Sequence, residues 1–580
     1  MKKDSSHARV KFTRGVLLCL LAGFCVICGA AGKASAASRP NIIIILADDM
    51  GFADLGCYGA EIHTPNIDKM AAEGLRFAQF YNMARCCPTR ASIMTGLYPH
   101  QAGIGAMNQK LGKKPQYEGE LDSDHCVTMA EVLRDAGYHT GMVGKWHLVH
   151  LTIAALPHAR AQDLLDFKVD APISPSDVDW PCNRGFEEHW GTIAGVEDYY
   201  DPYSLVHNEQ KIRPDKPDFY YTDFITDHAV QLIDGFSSDA TRPFFLYVAY
   251  TAPHWPMQAP EADIDRYRDV YNVGWDVIRQ QRYDRQVAMG LCEEKWGLSP
   301  RAFLTSLNDG DSKVGPWVTA PAKAWQARRM AVYAAMVEIM DRGVGRIMAE
   351  LRDRGIDDNT MVIFLSDNGA CQEQVQPGWY DINEHTRDGR AIAVGNVSNL
   401  WPGPETVYQS YGPAWANASN TPLRRFKHFT EEGGISTPFV VRWPGVVTEA
   451  GQIQHDQVGD VIDLMPTVLA AAGAGYPASF HGHTVWPEEG INLLPAIEGG
   501  ATISRPAPLC WEHEGNRAVR IGDWKLVAAH GERWQLYNIP NDRTEMHNVA
   551  KQYPDKVREL KAAYDAWEKR VGVEEWPIPD

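Results

Sequence analysis

Cys86 opens the segment Cys86-Cys87-Pro88-Thr89-Arg90-Ala91-Ser92-Ile93-Met94-Thr95-Gly96, which sets a sulfur nucleophile four residues ahead of an arginine. Taken alone, such a cysteine reads as a buried thiol or a disulfide partner. Two further groups change that weighting. Asp48-Asp49 and Asp367-Asn368 each follow a short apolar run. Hard oxygen donors of this kind suit Ca²⁺ or Mg²⁺ and do not suit zinc. One isolated pair would read as a turn or a helix cap; two pairs in the same context point to a metal. Cationic and titratable residues make the third group: Lys145 and His147 in Gly144-Lys145-Trp146-His147, His254 in Ala252-Pro253-His254-Trp255-Pro256, and Lys427 six residues ahead of Gly433-Gly434. A lone lysine or histidine is ordinarily a surface residue, so the motif context must separate these from the other histidines.

The elements that carry these residues follow one rhythm. Asn41–Leu46 is a continuous apolar run that reads as a buried strand delivering acids at its C-terminal end. Residues 138–143, 244–250, 360–365 and 437–443 read as further strands. Helices are expected from Thr64 through Leu75 with Pro65 in the first turn, from Thr128 to the stop at Gly137, and over 325–354 up to Gly355. Apolar strand, polar C-terminal residues, then helix is the pattern of a mainly parallel sheet covered by helices, in which ligands bind beyond the carboxyl ends of the strands. The fold class expected is therefore α/β, a large mixed, mainly parallel sheet flanked by helices, with a small C-terminal α+β subdomain. The subdomain is expected over 481–580, with strands near 509–513, 518–528 and 534–539 and a helix over 554–570. The catalytic domain is expected over 37–480. Residues 256–325 read as an elaborated connection.

Residues 1–36 read as a signal peptide: a basic start, an uncharged apolar run from Gly15 to Gly32, and a small-residue exit at Ala34-Ser35-Ala36. The competing reading is a membrane anchor. Cleavage implies export to a periplasmic or extracellular space. The formal net charge is −18, an acidic balance that argues against nucleic acid as a partner. Eight of the 11 cysteines lie beyond the leader; they lack zinc-type spacing and are too few for a disulfide framework.

The Cys-x-Pro-Thr-Arg core and its Thr-Gly turn resemble the signature of the type I formylglycine-dependent sulfatases, an arylsulfatase-like family of the alkaline-phosphatase-like superfamily. The other motifs stand in the family's order along the whole mature chain. The resemblance implies that Cys86 is the modified residue, converted to formylglycine by a formylglycine-generating or anaerobic maturase enzyme. It implies one cation, usually Ca²⁺ and less often Mg²⁺, on Asp48, Asp49, Asp367, Asn368 and the modified Cys86. It assigns Arg90 to orienting the nucleophile, Lys145, His254 and Lys427 to the sulfate and its leaving oxygen, and His147 to supporting the nucleophile and sulfate elimination. Asp367 is a candidate acceptor for the attacking proton. The implied activity is hydrolysis of sulfate monoesters, with export suggesting a sulfated carbohydrate. A phosphomonoesterase, phosphodiesterase or phosphonate hydrolase on the same fold is the alternative, and a non-catalytic sulfated-glycan-binding protein is the alternative of another class. Arg184-Gly185-Phe186 matches a substrate-side loop of the family, and Tyr333–Asp341 reads as core packing. Trp511, His513, Asn516 and Trp415–Asn420 are candidates for the pocket rim.

Overall fold

The computed structural model describes residues 39–149, 179–214, 216–304, 312–378, 383–500 and 502–579; the expected leader lies outside them. The large sheet is built, in chain order, from β1 (Asn41–Ala47), β2 (Leu75–Phe77), β3 (His139–Lys145), β4 (Glu188–Thr192), β5 (Leu205–His207), β6 (Gln210–Lys211), β7 (Phe244–Ala249), β8 (Thr360–Ser366), β9 (Phe439–Arg442) and β10 (Ile453–Gln454). Its spatial order is β10-β2-β9-β8-β1-β7-β3-β4-β5-β6. The centre, β8-β1-β7-β3-β4, is parallel throughout, and antiparallel strands flank it on both sides.

β1 explains why its sequence is a continuous apolar run. Ile43, Ile45 and Ala47 enter one core, while Ile42, Ile44 and Leu46 enter the other, so both faces must be apolar. The first core is covered by α1 (Pro65–Ala72), α4 (Tyr221–Ser237) and α5 (Lys323–Asp353). The second is covered by α2 (Cys86–Thr95), α3 (Met129–Asp135) and α6 (Leu464–Ala472). Register then aligns the strand ends: Ala47 pairs with Ser366, Leu46 with Ala249, and Gly144 with Ala249. Asp48, Lys145, the loop to His254, and Asp367 consequently leave the sheet side by side.

The C-terminal portion is a four-stranded antiparallel sheet, β11 (Leu509–His513), β12 (Asn516–Ile521), β13 (Trp524–Ala528) and β14 (Gln535–Asn538), packed by α7 (Pro554–Val571). The single strand expected over 518–528 is two. Ile521 pairs with Trp524 across a two-residue turn in which Gly522 takes φ 56°, a conformation a hairpin favours and glycine supplies. The helix expected to reach Leu75 ends at Ala72. A Cβ on Gly74 would collide with the Val441 carbonyl, and the residues after it pair with β9 and β10 instead. All eight described cysteines are free. Among the described residues no helix is long and apolar enough to cross a membrane.

Asp341 shows that Tyr333–Asp341 does more than fill the core. Its carboxylate accepts from the Ile67 amide at 2.8 Å, the Asn66 amide at 3.2 Å and the Asn66 side chain at 2.7 Å. It thereby caps α1 from α5, where Thr64 provides no side-chain cap. Asp341→Ala should cost about 1–2 kcal/mol, the usual worth of a lost cap. Urea denaturation should report this loss, with specific activity at 25 °C retained.

Candidate active site

α2 begins at Cys86, directly after Arg85 in extended conformation, and every residue of this helix is buried. A helix N-terminus favours negative charge at its first residue. Cys86 is 2% exposed and lies at the floor of a cavity of about 220 Å³ that His147, His254 and Lys427 also line. A hydrogen bond from Cys87 draws the Cys86 thiol well below its ordinary range; burial opposes this, and His147 and Lys145 reinforce it.

Arg90 lies one turn along α2 and is fully buried. It donates to Asp367 Oδ2 from Nε at 3.1 Å and from Nη2 at 2.8 Å, and to the Lys145 carbonyl from Nη1 at 2.7 Å. Lys145 is ion-paired with Asp48 Oδ2. Lys427 Nζ lies 2.9 Å from Asp49 Oδ1, and His254 Nε2 lies 3.3 Å from Asp49 Oδ2. Burial works against the charge on Asp48, but Lys145, His254 and Arg90 outweigh it and hold its carboxyl at about 2. Burial also opposes the Lys427 charge, yet Asp49, Cys371 and Glu373 hold its ammonium well above the usual lysine value. Asp367 goes the other way: burial, then the facing Asp48, push it well above the carboxylate range despite Arg90.

The donor set fits a hard cation. Asp48 Oδ1 and Asn368 Oδ1 are buried and have no hydrogen-bond partner among the described residues. Asn368 turns its amide nitrogen toward Asp49 Oδ1 at 2.7 Å and Gly369 O at 2.9 Å, which leaves its oxygen free for a metal. Stranded buried oxygens are costly, and Asp48 and Asp367 face each other as like charges. One divalent ion answers both needs.

Two histidines are held by different means. His254 Nδ1 lies 2.6 Å from the Trp255 carbonyl, an acceptor, so Nδ1 carries the hydrogen and Nε2 faces the site. His147 sits at φ 59° and Asp49 at φ 66°, left-handed conformations unusual for such residues and common where side chains are aimed by constraint. Burial draws His147 down to about 4, with Cys86 only partly offsetting it. Gly195 gives the ring room, since a Cβ there would collide with Nε2.

The structure thus gathers Cys86, Arg90, Lys145, His147, His254, Lys427, Asp48, Asp49, Asp367 and Asn368 at one end of the parallel strands. The secondary candidates fare differently. Arg184 is buried against Glu131 and Asp179. Trp415 is in the core, donating to the Gln326 carbonyl. Asn420 braces loops, accepting from Ala370 and donating to Arg425 and Gly433. His513 is fully buried beside the His428 ring, 5.6 Å between centroids, and the Asn516 side chain donates to the His428 carbonyl at 3.1 Å; both stand behind the rim. Trp511 packs on Tyr81. Sequence reasoning missed Arg85 and Glu373, which line the cavity. Their only signals were adjacency to Cys86 and a place six residues after Asp367.

The sulfatase family profile matches residues 40–474. An uncharacterized sulfatase of Schizosaccharomyces pombe is 33% identical over 557 residues, covering 93% of this chain and 95% of that one. An arylsulfatase of Klebsiella aerogenes is 34% identical over 485 residues, covering 83% and 97%. Among solved structures, Ps i-CgsB in complex with k-i-k-neocarrahexaose superposes with a TM-score of 0.62 at 25% identity, covering 91% of this chain and 93% of that one. With the profile spanning most of its length and relatives above 30% identity aligned nearly end to end, the chain belongs to the sulfatase family.

Proposed function

We propose that this sulfatase works through a formylglycine made from Cys86 and one divalent cation held by Asp48, Asp49, Asp367 and Asn368, and that it acts on a sulfated carbohydrate outside the cytoplasm. The observation that carries the reading is the juxtaposition of Cys86, at a helix N-terminus on the cavity floor, with a buried cluster of acids and an amide in which Asp48 Oδ1 and Asn368 Oδ1 have no hydrogen-bond partner among the described residues. Ca²⁺ suits this set better than Mg²⁺, because carboxylate and amide oxygens in an irregular arrangement match its flexible coordination.

The modification supplies, as its hydrate, one hydroxyl to attack sulfur and a second whose collapse releases sulfate. The cation, held by Asp48, Asp49, Asp367 and Asn368, would polarise the sulfate and lower the pKa of the attacking hydroxyl, whose proton Asp367 would accept. The chain does the rest. Arg90 fixes Asp367 and, through the Lys145 carbonyl, the end of β3. Lys145 and Lys427 present ammonium groups to sulfate oxygens, where charge develops. His254, with its Nδ1 hydrogen committed to Trp255, delivers a proton from Nε2 to the departing alcohol. His147, kept neutral by burial, accepts the proton when sulfate is eliminated. Export is supported by the basic, apolar and small-residue order of the leader. Carbohydrate as substrate is supported by that export and by the neocarrahexaose-bound structural neighbour.

Peptide mass spectrometry of the native protein should find Cys86 lighter by about 18 Da, as thiol-to-aldehyde conversion requires, and Cys86→Ala should abolish turnover. An unmodified thiol in an active preparation would overturn the mechanism. Exhaustive chelation should lower aryl-sulfate turnover by at least about 10²-fold, with Ca²⁺ restoring it more fully than Mg²⁺. It should also lower the thermal midpoint, because the acid cluster loses its counter-charge. His254→Ala should reduce kcat for a sugar sulfate at least about tenfold more than for 4-nitrophenyl sulfate, whose phenolate leaves without a proton.

A further inference from the structure

Glu373 is an acid on the wall of an anion site. It lines the same cavity as Cys86, His254 and Lys427, and both of its oxygens are engaged. Oε1 accepts from Arg85 Nη1 at 3.0 Å and lies 3.1 Å from His428 Nε2. Oε2 accepts from the Trp255 indole at 2.9 Å and from the Cys371 thiol at 3.2 Å, and stands 3.6 Å from Lys427 Nζ. Asp49 also holds Lys427, at 2.9 Å. His428 is in turn faced by Glu514 at 3.1 Å. Although burial opposes its ionisation, Lys427, Arg85 and His428 keep Glu373 charged.

Glu373 lines the cavity itself together with Arg85 and Lys427, while Asp48, Asp49 and Asp367 are buried beneath it. A sulfate monoester carries one negative charge. A phosphate monoester carries nearly two at neutral pH, its second ionisation lying near about 6. An added charge on the ligand meets the repulsion of Glu373 in a cleft where water screens poorly. We infer that Glu373 is a positioning and selectivity residue: it fixes Lys427 and Trp255, and its charge makes the cleft prefer monoanionic sulfate esters over dianionic phosphate esters. This rests on the sulfatase mechanism proposed above.

The test compares the full-length, Ca²⁺-loaded protein, its Cys86 conversion verified by mass, with Glu373→Gln and Glu373→Asp. The readouts are kcat/KM for 4-nitrophenyl sulfate and 4-nitrophenyl phosphate, and calorimetric affinity for the same two esters in a Cys86→Ala background, where neither is turned over. At pH 7.5, Glu373→Gln should raise the phosphate-to-sulfate ratio at least about tenfold. That gain should shrink below a pH of about 5, where the phosphate ester becomes a monoanion. Glu373→Asp should restore the wild-type ratio. If both activities fall together with the ratio unchanged, Glu373 only braces the cleft and the inference is overturned. Should Glu373→Gln fail to fold, Arg85→Gln tests the same balance with opposite sign, lowering phosphate relative to sulfate. A wild-type protein that turns over no sulfate ester, while Glu373→Gln still shifts the relative affinities for the two esters, would remove the reaction and leave the selectivity standing.

Discussion

Three carboxylates, Asp48, Asp49 and Asp367, leave adjacent parallel strands at no more than 1% exposure, and their mutual repulsion in a poorly screened interior is the constraint around which the site is organised. Burying like charges together is tolerated only when counter-charges and hydrogen bonds are placed against them. Each acid accordingly has its own cation from a different part of the chain: Lys145 from the end of β3, Lys427 from the loop before β9, and Arg90 from α2. Two of the three, Lys145 and Lys427, are also the groups proposed above to contact the sulfate, so losing either would disturb the charge balance and, on that proposal, binding as well.

The strand-end logic was legible in sequence because it has a physical signature. A run that is apolar at every position has both faces covered, and polar residues just past its end have one place to go. That argument placed Asp48, Asp49, Asp367 and Asn368 together, and the motif resemblance placed Cys86, Arg90, Lys145, His147, His254 and Lys427 with them. What was not legible depended on partners far away in the chain. Asp341 caps a helix some 275 positions earlier, and Glu373 gains its role from Arg85, Trp255, His428 and Lys427 at once. Arg184 and Trp415 had the right neighbours in sequence and the wrong ones in space. Boundaries shifted where tertiary pairing overrode local pattern, as where Gly74 lets the chain pass from α1 into β2.

The C-terminal sheet is tied to the catalytic body by buried charge as well as apolar packing. Glu432 accepts from Lys525 Nζ at 2.9 Å, Arg543 Nε at 3.1 Å and the Tyr81 hydroxyl at 3.0 Å. Its amide donates to Glu545 at 2.9 Å. All five residues are buried. Glu432 belongs to the segment that carries Lys427, so the sheet holds in place the loop that supplies one of the site's ammonium groups. Pairing of this kind contributes little net stability, whereas removing one partner is strongly destabilising. What it secures is the position of that loop.

The burial of α2 also has a consequence in time. An enzyme that converts Cys86 would not reach a residue enclosed in this way once the helix has docked, so the conversion proposed above would fall to the unfolded or nascent chain. Lys525, Arg543 and Glu545 are made long after Cys86. At about 5–20 residues per second, the 459 residues from 87 to 545 take on the order of half a minute to a minute and a half. The late partners of the Lys427 loop would thus act as a clock: until they are made the surroundings of the site are incomplete, and on the proposed mechanism the thiol would still be within reach of the enzyme that converts it.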